Sequence, residues 1–92
     1  MIYQLRIGQN NKTKKLEDKK AVKIIAESFD GFNAFKGLGY WKGIPEKTLF
    51  IEIDTIHKNK VKRLAKQLAQ ELKQEAIGFI EMSKTKMVFI SA

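Results

Sequence analysis

The segment GFNAFKGLGYWKGIPEKTLFIEID, residues 31–54, decides how this chain folds. Its second half alternates without a break: Leu49, Ile51 and Ile53 point one way, and Phe50, Glu52 and Asp54 the other. Alternation with a period of two marks a strand with one buried face. The first half holds Gly31, Gly37, Gly39 and Gly43, four of the chain's six glycines, among Phe32, Phe35, Tyr40 and Trp41, with Lys36 and Lys42 between them. Alternate glycines strip side chains from one face of a strand, which admits a neighbouring ring or helix and allows bulges. Residues from about Ala34 to Lys42 are therefore predicted as a strand. Gly43-Ile44-Pro45-Glu46 is predicted as the turn that joins the two strands into a hairpin, with Trp41 as a core or edge anchor.

Two functional readings of the glycine-rich half fail on its position. Lys36-Gly37-Leu38-Gly39-Tyr40 approaches the K-G-F-G-F core of the RNA-recognition motif, but Leu38 replaces a stacking aromatic. The segment is also the second strand, whereas that motif belongs to the third. A phosphate-binding loop would lead into a helix N-terminus, and here the glycines lead into a strand.

On either side of the hairpin the periodicity is equally readable. IYQLRI, residues 2–7, alternates as a half-buried strand, and GQNNKTKK, residues 8–15, is a polar connection. From about Asp18 the pattern becomes helical, with Val22, Ile25, Ala26 and Phe29 on one stripe, ending at Asp30-Gly31. A second helix is expected from an Asn59 cap to about Glu75, burying Val61, Leu64, Ala65, Leu68 and Leu72. Residues 76–82 and 86–91 read as two short strands around Ser83-Lys84-Thr85. This order predicts an α+β domain spanning residues 1–92, a ferredoxin-like plait (βαββαβ) with an additional C-terminal edge strand.

Gly39-Tyr40-Trp41-Lys42-Gly43, followed by Leu49-Phe50-Ile51-Glu52-Ile53 and a helix ending Gln74-Glu75-Ala76, resembles a group of small uncharacterised bacterial and phage-associated plait domains. In these a G-x-W-x-G strand precedes an apolar strand, and a helix ends in Q-E. The resemblance covers roughly residues 30 to 80. It implies the fold, and it carries over no functional residue.

Composition narrows the chemistry. With no cysteine, disulfides, thiolate catalysis and cysteine metal sites are excluded. No apolar run approaches the roughly 20 residues needed to cross a bilayer, and the opening lacks a signal-peptide pattern, so a cytoplasmic protein with no membrane association is expected. His57, the one histidine, has no paired ligand and reads as a surface or capping residue. No cofactor or catalytic set is predicted. Glu52 and Asp54, sharing the outward face of one strand, are the best enzyme hint, as a pair able to hold Mg²⁺ or trade protons.

The formal charge of +8 is the strongest compositional signal. Residues 31–54 are neutral, whereas residues 55–75 hold six basic side chains against two carboxylates. Lys62, Lys66 and Lys73 share one side of the second helix, flanked by Lys58 and Arg63, and the first helix adds Lys19, Lys20 and Lys23. These residues predict a small, basic, non-enzymatic module that engages an acidic partner through its helix face. Nucleic-acid backbone is narrowly preferred to an acidic protein, and for a nucleic acid sixteen lysines against two arginines favour holding phosphate over reading bases. The alternative is a phage or mobile-element protein that regulates or inhibits a host protein. It would use Tyr40, Trp41 and Phe50 as interface anchors, residues that also make a homodimer plausible.

Overall fold

The computed structural model describes residues 1–83 and 87–92. It contains β1 (Ile2–Gly8), α1 (Asp18–Ser28), β2 (Asn33–Trp41), β3 (Ile44–Asp54), α2 (Lys58–Glu71), β4 (Ala76–Glu81) and β5 (Met87–Ser91). The strands form one sheet in the order β2-β3-β1-β4-β5, with every neighbouring pair antiparallel. This corrects the expected ferredoxin-like plait with an appended edge strand. The sheet is five-stranded, and β5 is a full member of it. Its ladder with β4 runs from Ala76↔Ser91 to Ile80↔Met87, while that of β1 with β4 runs from Tyr3↔Glu81 to Arg6↔Gly78. Periodicity counts strands but carries no information about which strands pair. Of the turn expected between β4 and β5, Lys84 and Thr85 lie outside the described residues, as does Lys86 before β5.

Both helices cover the same face of the sheet. Tyr3, Leu5, Ile7, Leu49, Ile51, Ile53, Ile77 and Phe79 point into that layer from the strands. They meet Ala21, Ile24 and Ile25 of α1 and Val61, Leu64, Ala65, Leu68 and Leu72 near α2. Each of the buried Leu, Ile, Val and Phe side chains contributes about 1.5–3 kcal/mol by leaving water. The stripe expected on α2 is the one buried. On α1 it is rotated: Ala21, Ile24 and Ile25 are buried, Val22 is half-buried and Ala26 is exposed. Val22 and Ala26 satisfy helical spacing as well as their neighbours do, so sequence alone does not set the rotation.

Three boundaries differ from expectation for local reasons. The hairpin turns at Lys42-Gly43, not at the proline, with φ of 50° and 78° at the two residues. Two consecutive positive φ values characterise the tight type I′ turn that matches strand twist. Pro45 lies within β3, opposite Tyr40 and past the last β1 pair, Gly8↔Thr48, so its missing N–H interrupts no ladder bond. Helix α2 is capped by His57, without a side-chain hydrogen bond, rather than by Asn59. It ends four residues early, at Glu71. There Lys73 adopts φ 55° while Lys73 N–H donates to Gln70 and Gln74 N–H to Ala69, at 3.3 and 2.8 Å. This pair of bonds is a Schellman closure with lysine where glycine is usual.

Candidate active site

The face of the sheet turned away from the helices is built from rows of residues drawn from different strands. One row crosses the whole sheet: Phe35 opposite Phe50, Phe50 opposite Arg6, Arg6 opposite Gly78, and Gly78 opposite Phe89. The Phe35 and Phe50 rings stack at 5.6 Å with planes 10° apart, and the Arg6 guanidinium carbon lies 5.5 Å from the Phe50 centroid. The next row is small: Gly37 opposite Thr48, and Thr48 opposite Gly8.

The missing side chains of Gly37, Gly8 and, one row further on, Gly39 are used. A Cβ on Gly37 would lie 3.1 Å from the Phe50 ring, and one on Gly39 would lie 3.0 Å from the Thr48 hydroxyl. A Cβ on Gly8 would fall 2.3 Å from Glu46 Oε1. Phe50, Thr48 and Glu46, successive residues of one face of β3, thus each lean over a glycine of an adjoining strand. Thr48 Oγ1 donates to the Glu46 carbonyl at 3.1 Å, which stiffens this run. The Gln74 side chain, carried in by the turn that ends α2, donates to the Gly8 carbonyl beneath the Glu46 carboxylate.

The result is a cleft of about 540 Å³, within the range of small-molecule sites. Gly8, Gly39, Gly78 and Ala76 contribute to its floor, Phe50 and Phe89 stand at its sides, and Arg6, Glu46 and Gln74 bring its polar groups. Residues 9–12 and 73–75 form the rim. Among the described residues no cation lies within 4 Å of the Glu46 carboxylate. A carboxylate left open in a cleft that an arginine also lines, in a chain of charge +8, suits a ligand that itself carries charges of both signs.

Apart from Phe50 and Lys73, the residues singled out from sequence lie elsewhere. Lys58 forms an ion pair with Glu81, Lys20 donates to the Glu71 carbonyl at 3.0 Å, and Lys62 lies 5.8 Å over the Phe79 ring. Three of the eight basic residues expected to form the cationic face are therefore engaged, Lys58 and Lys62 against the sheet and Lys20 between the helices. Lys19, Lys23, Arg63 and Lys66 are exposed on that layer, and Lys73 occupies the helix closure at the cleft rim. Asp54 pairs with the N-terminal ammonium at 3.0 Å and Glu52 accepts from Gln4 at 3.3 Å, so the two do not act as a pair. Among the described residues no group of three or more His, Asp and Glu forms a metal site. Tyr40 and Trp41, 67% and 70% exposed, flank the hairpin tip, and neither is a core anchor. Phe50 is half-buried and belongs to the cleft. No described helix is long and apolar enough to cross a membrane.

Arg6 and Glu46, the charged pair of the cleft, were not singled out by sequence. The available signal was the alternation of Gly37 and Gly39 on β2, together with glycines at the same outward parity on β1 and β4.

No family model matches the chain, and no curated protein matches it. A solved structure does. The fold is similar to that of a phage SAM lyase in its apo state, with a TM-score of 0.66 over 99% of this chain and 88% of that one, at 20% sequence identity. That neighbour is an enzyme. The likeness overturns the expectation of a non-enzymatic module for an acidic partner, and with it the expectation that the chain has no catalytic activity. The same architecture carries a lyase in that neighbour.

Proposed function

We propose that this chain is an enzyme that binds S-adenosylmethionine in the open-face cleft and cleaves it as a lyase. The observation that carries the reading is the cleft itself: a fixed guanidinium and an open carboxylate over a glycine floor, between two phenylalanine rings. S-adenosylmethionine carries a carboxylate, an ammonium, a sulfonium and a planar adenine. The likeness in fold to a phage SAM lyase along nearly the whole chain supports the choice of this ligand.

The chemistry asks little of the protein. When a C–S bond of a sulfonium breaks without water, its electron pair leaves with sulfur as a neutral thioether, so the leaving group needs no acid. The carbon is completed from within the substrate, by the pair of an adjacent C–H bond whose proton passes to solvent or by the substrate's own carboxylate in ring closure. The positive charge on sulfur fades along that path. A carboxylate pressed against sulfur would therefore hold the ground state more tightly than the transition state. Glu46 is better employed on the ammonium, whose charge is unchanged, anchoring the amino-acid end while Phe50 or Phe89 stacks against adenine. Holding both ends of a flexible substrate lowers the entropic part of the barrier.

The test is chromatography of S-adenosylmethionine incubated with the purified protein. The expected result is loss of substrate with one thioether nucleoside formed per molecule consumed, and kcat/KM about tenfold lower or worse in Glu46→Gln. Unchanged substrate at stoichiometric enzyme would overturn the proposal.

A further inference from the structure

We infer that Arg6 is the receptor for the carboxylate of the bound amino-acid moiety, and that Gln4 is the residue that positions it. The inference rests on the reading of the cleft as a site for S-adenosylmethionine. It begins from an oddity of the open face. Gln4 is only 7% exposed, although it lies on the side of the sheet that no helix covers. Its neighbours explain this. Gln4 stands directly opposite Glu52, and Arg6 folds back toward it along the strand.

Both ends of the Gln4 amide are engaged. Its oxygen accepts from Arg6 Nε at 2.8 Å, and its nitrogen donates to Glu52 Oε2 at 3.3 Å. The Glu52 carboxylate thereby fixes which way the amide faces: nitrogen toward Glu52, oxygen toward Arg6. That orientation uses Nε, the inner donor of the guanidinium, and leaves the donors of its two outer nitrogens. The Phe50 ring, 5.5 Å from the guanidinium carbon, supports the plane from one side. Arg6 also lines the cleft, opposite Gly78, where no side chain stands in front of it. A guanidinium held by Nε and by one face, on a residue that lines the cleft, presents the fork that matches a carboxylate. Glu46, at the same cleft and not paired with Arg6, is left for the ammonium of the same moiety.

Glu52 thus has a use unlike the metal or proton role that its spacing from Asp54 suggested. It sets the amide of Gln4, and through it the arginine. Gln4 and Glu52 act through Arg6 and touch no substrate, so they are positioning residues.

Calorimetric titration of S-adenosylmethionine and of its decarboxylated form separates this inference from the reading beneath it. The wild-type protein should bind the carboxylate-bearing form at least about tenfold more tightly. Gln4→Leu and Arg6→Lys should each remove most of that preference while leaving affinity for the decarboxylated form unchanged. In turnover, both variants should raise KM and lower kcat, because the amino-acid end is then held less firmly. Arg6 is exposed, so its variant tests the inference even if the buried Gln4 variant fails to fold. Equal wild-type affinity for the two forms would overturn the receptor role and leave the substrate reading standing. If the wild-type protein binds neither form, the substrate reading falls and this inference falls with it.

Discussion

The two faces of the sheet are made from the same strands, residue by residue in alternation, yet they obey different rules. Toward the helices, Leu5, Ile7, Leu49, Ile51 and Ile53 are fully or almost fully buried aliphatic side chains. Toward the open side, the residues between them are Arg6, Gly8, Thr48, Phe50 and Glu52, which are small, aromatic or charged. The first face is held by shape and exclusion of water. The second leaves a row of glycines into which three side chains of β3 lean, and it keeps an arginine and a carboxylate apart. Burial thus produces the fold on one side, and the chemistry is displayed on the other, which needs no large core to support it.

This contrast can be broken at either face. The largest effect is expected from Ile51→Ala, at the centre of the helix-covered layer. It should cost about 3 kcal/mol of stability in urea denaturation, while the remaining folded protein keeps its affinity for S-adenosylmethionine. A loss of affinity in step with stability would show that the faces are not separable. Gly8→Ala should do the reverse. The new methyl would take the place of Glu46 Oε1, the mobile end of a side chain, so stability should change by less than about 1 kcal/mol while turnover falls about tenfold. Unchanged turnover would remove Glu46 from the site.

The smallest effect concerns the edge where the faces meet the helices. Asp18, in the first turn of α1, accepts from Lys36 of β2 at 3.2 Å. That hydrogen bond, more than the backbone N–H groups or the charge of Lys36, holds the Asp18 carboxyl below the usual carboxylate range despite some desolvation. A lowered pKa in the folded state means that the contribution is present above the unfolded value near 3.8 and is lost as pH falls through the folded value. Asp18→Asn should therefore be slightly less stable than wild type at neutral pH, with the difference closing as pH drops below about 4. A gap that stayed constant through that range would assign the effect to something other than the charge.

The elements were legible in the sequence because burial on one face imposes a period, and β3 and α2 keep that period without interruption. Errors gathered where two residues satisfy the same local rule. Val22 and Ala26 fit a helical stripe as well as Ala21 and Ile24 do, and Pro45 looks like a turn residue although Lys42-Gly43 makes the turn. Charge was legible as a total but not as a disposition. The lysines of α2 read as a free ridge until Glu81 and the Phe79 ring were seen beneath Lys58 and Lys62.

By itself the sequence determined the number of strands and helices, most of the core, the parity that faces each strand residue inward or outward, and the exclusion of cysteine chemistry. Each of these follows from neighbours a few residues apart, where spacing alone dictates side-chain direction. Only the tertiary structure decided the strand order, the membership of β5, and the cleft in which Arg6, Glu46, Gly78 and Phe89 meet. Those residues are brought together by pairing across β3, β1, β4 and β5, and hydrogen bonds between backbones do not depend on which side chains they carry.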